Sequence, residues 1–110
     1  MANKITVDSV RAFAIGKPFR RENMAVEIVD DGVYLKLHGN TIAYRSSNDG
    51  TIVISNCGWE TNTTKMRLNY LLSIYNSPCR IRQKNFIWYL GNQVWNGGRT
   101  YIYSLATTMN

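Results

Sequence analysis

Apolar residues first recur at helical spacing near the N-terminus, over residues 6–15. The members of this stripe are Val7, Val10, Phe13 and Ala14. Thr6 or Asp8 is expected to cap the start of the helix, and Gly16 is expected to end it. The pattern therefore predicts one short N-terminal helix.

The pattern then changes to the alternation of apolar and polar residues that is typical of strands. The alternating runs cover residues 24–29, 33–38, 41–45 and 51–55. Ile42 and Tyr44 are expected on the same side of the third run. Turn-forming Gly, Asn and Asp residues separate the runs, so the pattern predicts a meander of up to four antiparallel strands.

A second and longer helix is predicted over residues 63–75, ahead of Pro78. The stripe that faces the core consists of Leu68, Leu71, Leu72 and Tyr75. A second apolar row on the opposite side consists of Met66, Tyr70 and Ile74. Such a helix either lies between two layers of the protein or offers one face to a partner, which makes the second row a candidate interface.

Strand and turn signals alternate again in the C-terminal part of the chain. Strands are predicted over residues 79–83, 85–90, 93–95 and 100–105, with a hairpin turn at Gly91-Asn92. The whole pattern predicts a small α+β fold in a single domain of residues 1–110. Its expected parts are a short N-terminal helix, an antiparallel sheet that begins as a meander, one main helix and C-terminal hairpins.

The charges are distributed unevenly along the chain. All 7 acidic residues lie between Asp8 and Glu60, where basic residues balance them. The net charge of +6 therefore comes from the segment after Glu60, which contains no Asp or Glu. This asymmetry favours an anionic partner, while a basic surface that only keeps the protein in solution explains the composition equally well.

The predicted start of the main helix is a candidate site for a phosphate group. Thr63 and Thr64 precede Lys65 and Arg67 there, and the positive end of the helix dipole favours anions. Threonine caps together with basic side chains predict an anion-binding helix start. The alternative is that Glu60 folds over this end and neutralises it.

A second basic cluster lies in the predicted strand that follows the helix. Arg80, Arg82 and Lys84 share one face if the alternation is unbroken, and Phe86 and Trp88 follow directly. Basic side chains neutralise phosphates, and aromatic rings stack on unpaired bases. We expect Phe86 and Trp88 to lie in the core instead, because large aromatic side chains dominate small cores.

The sequence shows no pattern of catalytic or metal-binding residues. His38 has no orienting acid or nucleophile near it in the sequence, and Cys57 and Cys79 form no zinc pattern. Reduced thiols are the expected state of the two cysteines, with a disulfide left open. We therefore expect no enzyme activity, no metal and no cofactor.

Three segments resemble a family of small proteins that tailed bacteriophages and prophages encode. The segments are LHGNTIAYR (residues 37–45), SNCGWETNTTKMRLNYLL (residues 55–72) and QKNFIWYL (residues 83–90). Residues 10–23 also resemble the start of that family, so the resemblance covers most of the chain. It implies a phage accessory protein that acts in the cytoplasm of an infected bacterium, and it transfers no catalytic residue.

The sequence leaves three functional hypotheses. The first is binding of nucleic acid, DNA or RNA, with Lys65, Arg67, Arg80, Arg82 and Lys84 as its candidate residues. The second is binding of a host protein, or homodimerisation, through the second apolar row of the main helix. The third is an enzyme acting on nucleotides or nucleic acid, for which a catalytic set is missing. No membrane partner is expected, because no apolar run approaches the length of a spanning helix.

Overall fold

The computed structural model describes residues 3–103, with side chains described as far as Ile102. The helices of this range are α1 (Lys4–Ile15) and α2 (Asn62–Ile74). Its strands are β1 (Phe19–Arg21), β2 (Met24–Val29), β3 (Gly32–Leu37), β4 (Asn40–Ser46), β5 (Ile52–Ile54), β6 (Ile81–Lys84), β7 (Ile87–Leu90), β8 (Gln93–Val94) and β9 (Thr100–Tyr103). The predicted α+β class is confirmed. Residues 104 and 105 of the predicted last strand lie outside the described residues.

The strands form two antiparallel sheets. The larger sheet has the strand order β1-β2-β3-β4-β5-β9, and the small sheet has the order β6-β7-β8. The predicted meander is confirmed, and the short strand β1 extends it at one edge. After β5 the chain leaves the larger sheet, forms α2 and the small sheet, and returns to pair β9 with β5.

Two hydrogen bonds join the segment directly after β5 to the segment that precedes β9. The Asn56 amide donates to the Gly97 carbonyl at 3.0 Å, and the Ser55 hydroxyl donates to the same carbonyl at 3.0 Å. A Cβ atom at Gly97 would lie 2.1 Å from the Asn56 side chain, so only glycine fits at this crossing.

Helix α1 begins earlier than the sequence pattern predicts. Its cap is Asn3, whose Oδ1 accepts hydrogen bonds from the Thr6 amide at 3.1 Å and the Thr6 hydroxyl at 2.7 Å. The prediction of Thr6 or Asp8 as the cap is therefore wrong, because Asn3 is a strong cap residue and the buried Ile5 follows it. Gly16 ends the helix in the left-handed conformation (φ 73°), as predicted.

The core lies between the inner face of the larger sheet and the two helices. Side chains at alternate positions of β3 enter it, and Phe13 of α1 packs there with no exposed surface. The predicted stripe of α2 is confirmed at Leu68, Leu71 and Leu72, which are all fully buried. Tyr75 follows the end of the helix and is half-buried.

A β-bulge in β4 changes the alternation that the sequence predicts. The register shifts between Leu35 and Lys36 of β3, which leaves Ile42 as the extra residue of β4. Ile42 is buried in the core, whereas Tyr44 lies on the opposite side, the outer face of the larger sheet. The expectation that Ile42 and Tyr44 share a side is therefore wrong.

The small sheet contains a turn that the sequence pattern does not predict. A strand is expected over residues 85–90, but Lys84 pairs with Ile87, and Asn85 and Phe86 form the turn with φ values of 52° and 66°. Phe86 is consequently 90% exposed, which corrects its predicted place in the core. Trp88 is 1% exposed, so its predicted place in the core is confirmed.

Helix α2 contacts the small sheet as well as the core. The Asn69 side chain joins the two, because its Oδ1 accepts from the Ile81 amide at 2.7 Å and its Nδ2 donates to the Ile81 carbonyl at 2.8 Å. These two bonds satisfy the backbone of the first residue of β6. One face of the small sheet is thereby fixed towards α2, and the other face points away from it.

Candidate nucleic-acid interface

The face of the small sheet that points away from α2 carries two basic side chains. Alternation and register place five residues on this small-sheet face: Arg82, Lys84, Ile87, Tyr89 and Val94. Tyr89 is half-buried and the other four are exposed. The surface therefore combines positive charge with apolar and aromatic groups.

Arg82 is held over the ring of Tyr89. The guanidinium carbon lies 4.9 Å from the ring centroid, and the Arg82 Nε donates to the Gly91 carbonyl at 3.4 Å. The ion pairs within residues 3–103 all join side chains of residues 4–36. Arg82 and Lys84 thus have no carboxylate partner in that range, and their charges are available to an anion.

Phe86 lies at the tip of the same sheet, between the basic Lys84 and the exposed Ile87. Its ring is almost fully exposed, and its backbone adopts a left-handed conformation that bulky residues rarely take. Such a conformation costs free energy of folding, and it positions an aromatic ring beyond the end of the strands. The tip therefore offers an almost fully exposed ring two residues from Lys84.

Arg80 lies just before the strand and not within its alternation. Its guanidinium donates to the carbonyl oxygens of Ser77 and Cys79, at 2.7 Å in each case. The side chain is exposed, and Arg80 directly precedes the first residue of β6. The expected row of three cations on one strand is thus reduced to Arg82 and Lys84, with Arg80 beside them.

Lys65 lies on the other side of the small sheet. Its Nζ donates to the Gln83 Oε1 at 3.1 Å and lies 5.6 Å from the centroid of the Trp88 ring. Gln83 and Trp88 face α2, so the small sheet separates Lys65 from Arg82. Lys65 and the small-sheet face therefore do not form one continuous site.

Arg67 is only 3% exposed, which corrects its predicted role as a contact for nucleic acid. Its guanidinium donates to the Thr6 hydroxyl, and to the Asn23 Oδ1 at 3.2 Å. Burial lowers the pKa of Arg67, and the charge of Glu22 opposes this change. The side chain joins α2 to α1 and to the turn after β1, so it cannot reach a phosphate in solution.

The start of α2 lacks the cations that the sequence places there. Thr61 caps the helix by accepting from the Thr64 amide at 3.1 Å, and Thr64 is fully buried. Thr63 and Thr64 line a cavity of about 200 Å³ together with Trp59 and His38. Because Lys65 and Arg67 point elsewhere, the expected combination of threonine caps and basic side chains is not assembled.

The second apolar row of α2 is half-buried along its length. Met66, Tyr70 and Ile74 each keep part of their surface exposed, and Tyr70 and Ile74 pack against the core. The helix therefore lies between layers of the protein, which is one of the two arrangements that the sequence allows. This placement weakens the case for the row as a binding surface.

A row of tyrosines crosses the outer face of the larger sheet, and the sequence pattern did not single it out. Register places Tyr34, Tyr44, Val53 and Tyr101 side by side on β3, β4, β5 and β9. This tyrosine row lines an open cavity of about 500 Å³, with Asp31 and Arg99 at its rim. Alternation within each strand is the only sign of this row in the sequence. It shows which residues share a face of one strand, but strand pairing is needed to show that the four residues lie side by side.

Comparison with known proteins identifies the family. A family model described as Kyanoviridae Gp96 protein matches residues 2–106. The chain belongs to this family. The prediction of a tailed-phage protein family is thereby confirmed, and the match covers both the small-sheet face and the tyrosine row. No curated protein and no solved structure matches the chain.

Cysteine and metal-binding features are few in the described range. Cys57 and Cys79 are both free thiols. Across residues 3–103, His, Cys, Asp and Glu side chains form no group of three that would suit a metal ion. Neither helix of that range has the length and apolar character needed to cross a membrane.

Proposed function

We propose that this phage protein binds nucleic acid through its small-sheet face, without catalysis, in the cytoplasm of the infected bacterium. The observation that carries the proposal is the joint exposure of Arg82, Lys84 and Phe86 on one small sheet. The chain after Glu60 contains no acidic residue, so no carboxylate in that half of the sequence repels a phosphate.

The two cations are spaced for a nucleic-acid backbone. Arg82 and Lys84 are two residues apart on one face of a strand, which separates their Cα atoms by about 6.6 Å. This spacing is comparable to that of successive phosphates in an extended single strand. Arg82 is also held in place by the Tyr89 ring, which reduces the rotamer entropy lost when it binds a phosphate.

Phe86 supports a preference for single strands over duplexes. Base–aromatic stacking requires an unpaired base whose face is accessible. The ring of Phe86 lies beyond the strands, next to Lys84, where a base could stack while its phosphate contacts the lysine. A duplex hides its base faces and would use the cations alone.

A protein partner is the second candidate, and the exposed apolar residues of the small sheet favour it. Phe86, Ile87 and Val94 are all exposed, and aromatic and aliphatic side chains of this kind anchor protein interfaces. The partner would be an acidic host protein, because Arg82 and Lys84 flank these residues. The half-buried row of α2 does not contribute to this surface.

Fluorescence anisotropy tests the nucleic-acid proposal. Labelled single- and double-stranded DNA and RNA are titrated with protein freed of copurifying nucleic acid, at low and moderate salt. We expect binding that weakens with salt because phosphate contacts release counterions. For a single strand, the variant R82Q/K84Q should reduce the salt slope by about 1.4, or about 0.7 for each phosphate contact.

The matched control is R11Q/K17Q, which removes the same charge from exposed positions in and after α1. It should change the affinity much less than R82Q/K84Q does. An equal loss in the two variants would assign binding to net charge and not to the small-sheet face. No binding by the wild type at low salt would overturn the proposal and favour the protein partner.

A further inference from the structure

The tyrosine row forms the floor of the cavity on the larger sheet, and hydrogen bonds fix two of its rings. The rings of Tyr34 and Tyr44 lie 4.8 Å apart between centroids, tilted by 46°. Both hydroxyls are fixed by one residue, because Tyr34 donates to the Asp31 carboxylate at 3.1 Å and Tyr44 donates to the Asp31 carbonyl at 2.7 Å. The rings are therefore held in position before any ligand arrives.

Gly32 allows Tyr44 to lie close to the neighbouring strand. A Cβ atom at this position would lie 2.6 Å from the Tyr44 ring and 2.2 Å from the Arg45 carbonyl oxygen. Any larger residue would displace the ring or the strand. The floor thus depends on a glycine directly beside the turn that carries Asp31.

Tyr101 completes the row at the edge strand, where it is 76% exposed. Val53 lies between Tyr44 and Tyr101 in the register, so the floor is aromatic at both ends and aliphatic in the middle. Adjacent strands lie about 4.8 Å apart, so a planar ring bound here would contact side chains from two or three neighbouring strands. Such mixed surfaces of aromatic and aliphatic groups are typical of small-molecule sites.

Among the described residues that line the cavity, Asp31 and Arg99 are charged, and their signs are opposite. Asp31 offers carboxylate lone pairs beyond those used by Tyr34, and Arg99 is an exposed cation that lines the same cavity. Burial and the Asp31 hydrogen bond raise the pKa of Tyr34, and the charge of Arg99 acts in the opposite direction. Arg99 and Tyr34 line the same cavity, which places the cation beside the tyrosine row.

We propose that this cavity binds a nucleotide, with its base stacked on the tyrosine row and its phosphate bound by Arg99. Asp31 accepts a hydrogen bond from the exocyclic amino group of the base. A guanidinium recognises phosphate oxygens and a carboxylate recognises an amino group, so the two rim charges match the two polar ends of an aminated nucleotide. A cavity of about 500 Å³ lies within the usual range for small ligands.

The ligand has two possible sources, a free mononucleotide or a nucleotide within a single strand. The site lies on the larger sheet and does not depend on the small-sheet face. A test of this site can therefore fail or succeed independently of the test of the proposed function. If the small-sheet proposal fails, a free nucleotide remains a complete ligand for this cavity.

Isothermal titration calorimetry with adenosine and uridine monophosphates tests the free ligand. We expect adenosine monophosphate to bind more tightly than uridine monophosphate, whose base has no exocyclic amino group to donate to Asp31. Y101A should weaken binding about tenfold through loss of stacking. R99Q should weaken it about tenfold through loss of a charge-assisted bond. Both residues are exposed, so the variants should fold.

R11Q/K17Q is the control, since both residues are exposed and neither lines the cavity, and it should bind adenosine monophosphate as the wild type does. A parallel titration with a single-stranded oligonucleotide identifies the second source. If only the oligonucleotide binds, and Y101A and R99Q each weaken it, the ligand is a nucleotide within a strand. If neither ligand responds to Y101A or R99Q, the proposed site is overturned.

Discussion

The guanidinium of Arg67 donates to the hydroxyl of Thr6, and this contact joins the middle of α2 to the first turn of α1. Thr6 in turn donates to Asn3, the cap of α1, so the arginine extends the capping network. Its other end reaches Asn23 in the turn between β1 and β2. One buried cation thereby fixes three separate segments of the chain.

Replacement of Arg67 by alanine should destabilise the fold without a specific effect on ligand binding. R67A removes the bonds to Thr6 and Asn23 and leaves a cavity where a side chain only 3% exposed lay, and we expect a loss of about 2–4 kcal/mol in the free energy of unfolding. Urea denaturation measures this loss. R67K should also be destabilising, because an ammonium cannot reproduce the guanidinium contacts.

The matched control is R11A, which removes an exposed arginine from α1. Its free energy of unfolding should change by less than about 0.5 kcal/mol. If R67A and R11A proved equally stable, the bonds of Arg67 would contribute no net stability. Nucleic-acid affinity, measured on the folded fraction of R67A, should equal that of the wild type.

Replacement of Phe86 by glycine should change stability and binding in opposite directions. Both turn residues have positive φ, and Asn-Gly is the preferred pair for such a hairpin turn. F86G should therefore raise the free energy of unfolding by up to about 1 kcal/mol by releasing the strained conformation. It should also weaken single-strand binding about 5- to 100-fold by removing the stacking ring.

Thermal unfolding and anisotropy on the same preparation of F86G measure the two effects. F86W is the control, because it keeps an aromatic ring at the tip and should retain the affinity. Unchanged single-strand affinity in F86G would remove Phe86 from the binding surface. A less stable F86G would show that the ring contributes to folding more than its conformation costs.

Stability should fall at acidic pH through Asp8. The hydrogen bond from Arg21 at 3.0 Å, followed by that from Lys4, holds the pKa of Asp8 below its ordinary value of 3.8. The native state then binds fewer protons than the unfolded state, so this stabilisation is present above the ordinary pKa. It is lost as the pH falls through the lower native pKa.

Urea denaturation of wild type and D8N between about pH 5 and about pH 1 measures this contribution. D8N should be less stable than the wild type at the upper end of the range, and the difference should shrink towards the lower end. A difference that stays constant with pH would show that the ion pair contributes nothing to the titration.

The sequence predicts the local elements of this fold well. Hydrophobic periodicity locates both helices, and the turn residues locate the meander and the Gly91-Asn92 hairpin. These features depend on neighbours in the chain, which is why a single sequence reveals them. The prediction that Phe86 lies in the core is wrong because aromatic residues seldom occupy tight turns. The pairing of Lys84 with Ile87, which local sequence does not reveal, puts Phe86 in the turn.

The sequence predicts the candidate sites only in part. Arg82 and Lys84 follow from strand alternation, but the burial of Arg67 depends on Thr6, which lies 61 positions away. The tyrosine row depends on the register of four strands, and the bulge at Ile42 alters the alternation within one of them. Contacts between residues so far apart in the chain produce no periodic pattern in the sequence.

The return of the chain from the small sheet to the larger sheet has a consequence for folding order. Hairpins such as β2–β3 close short loops, whereas β9 must find β5 after an excursion across α2 and the small sheet. Longer loops cost more entropy to close, so β9 should be the last strand to dock. In that order, Arg99 and Tyr101 would join the cavity in the final step. A nucleotide bound there would therefore stabilise the folded state in which β9 is paired with β5.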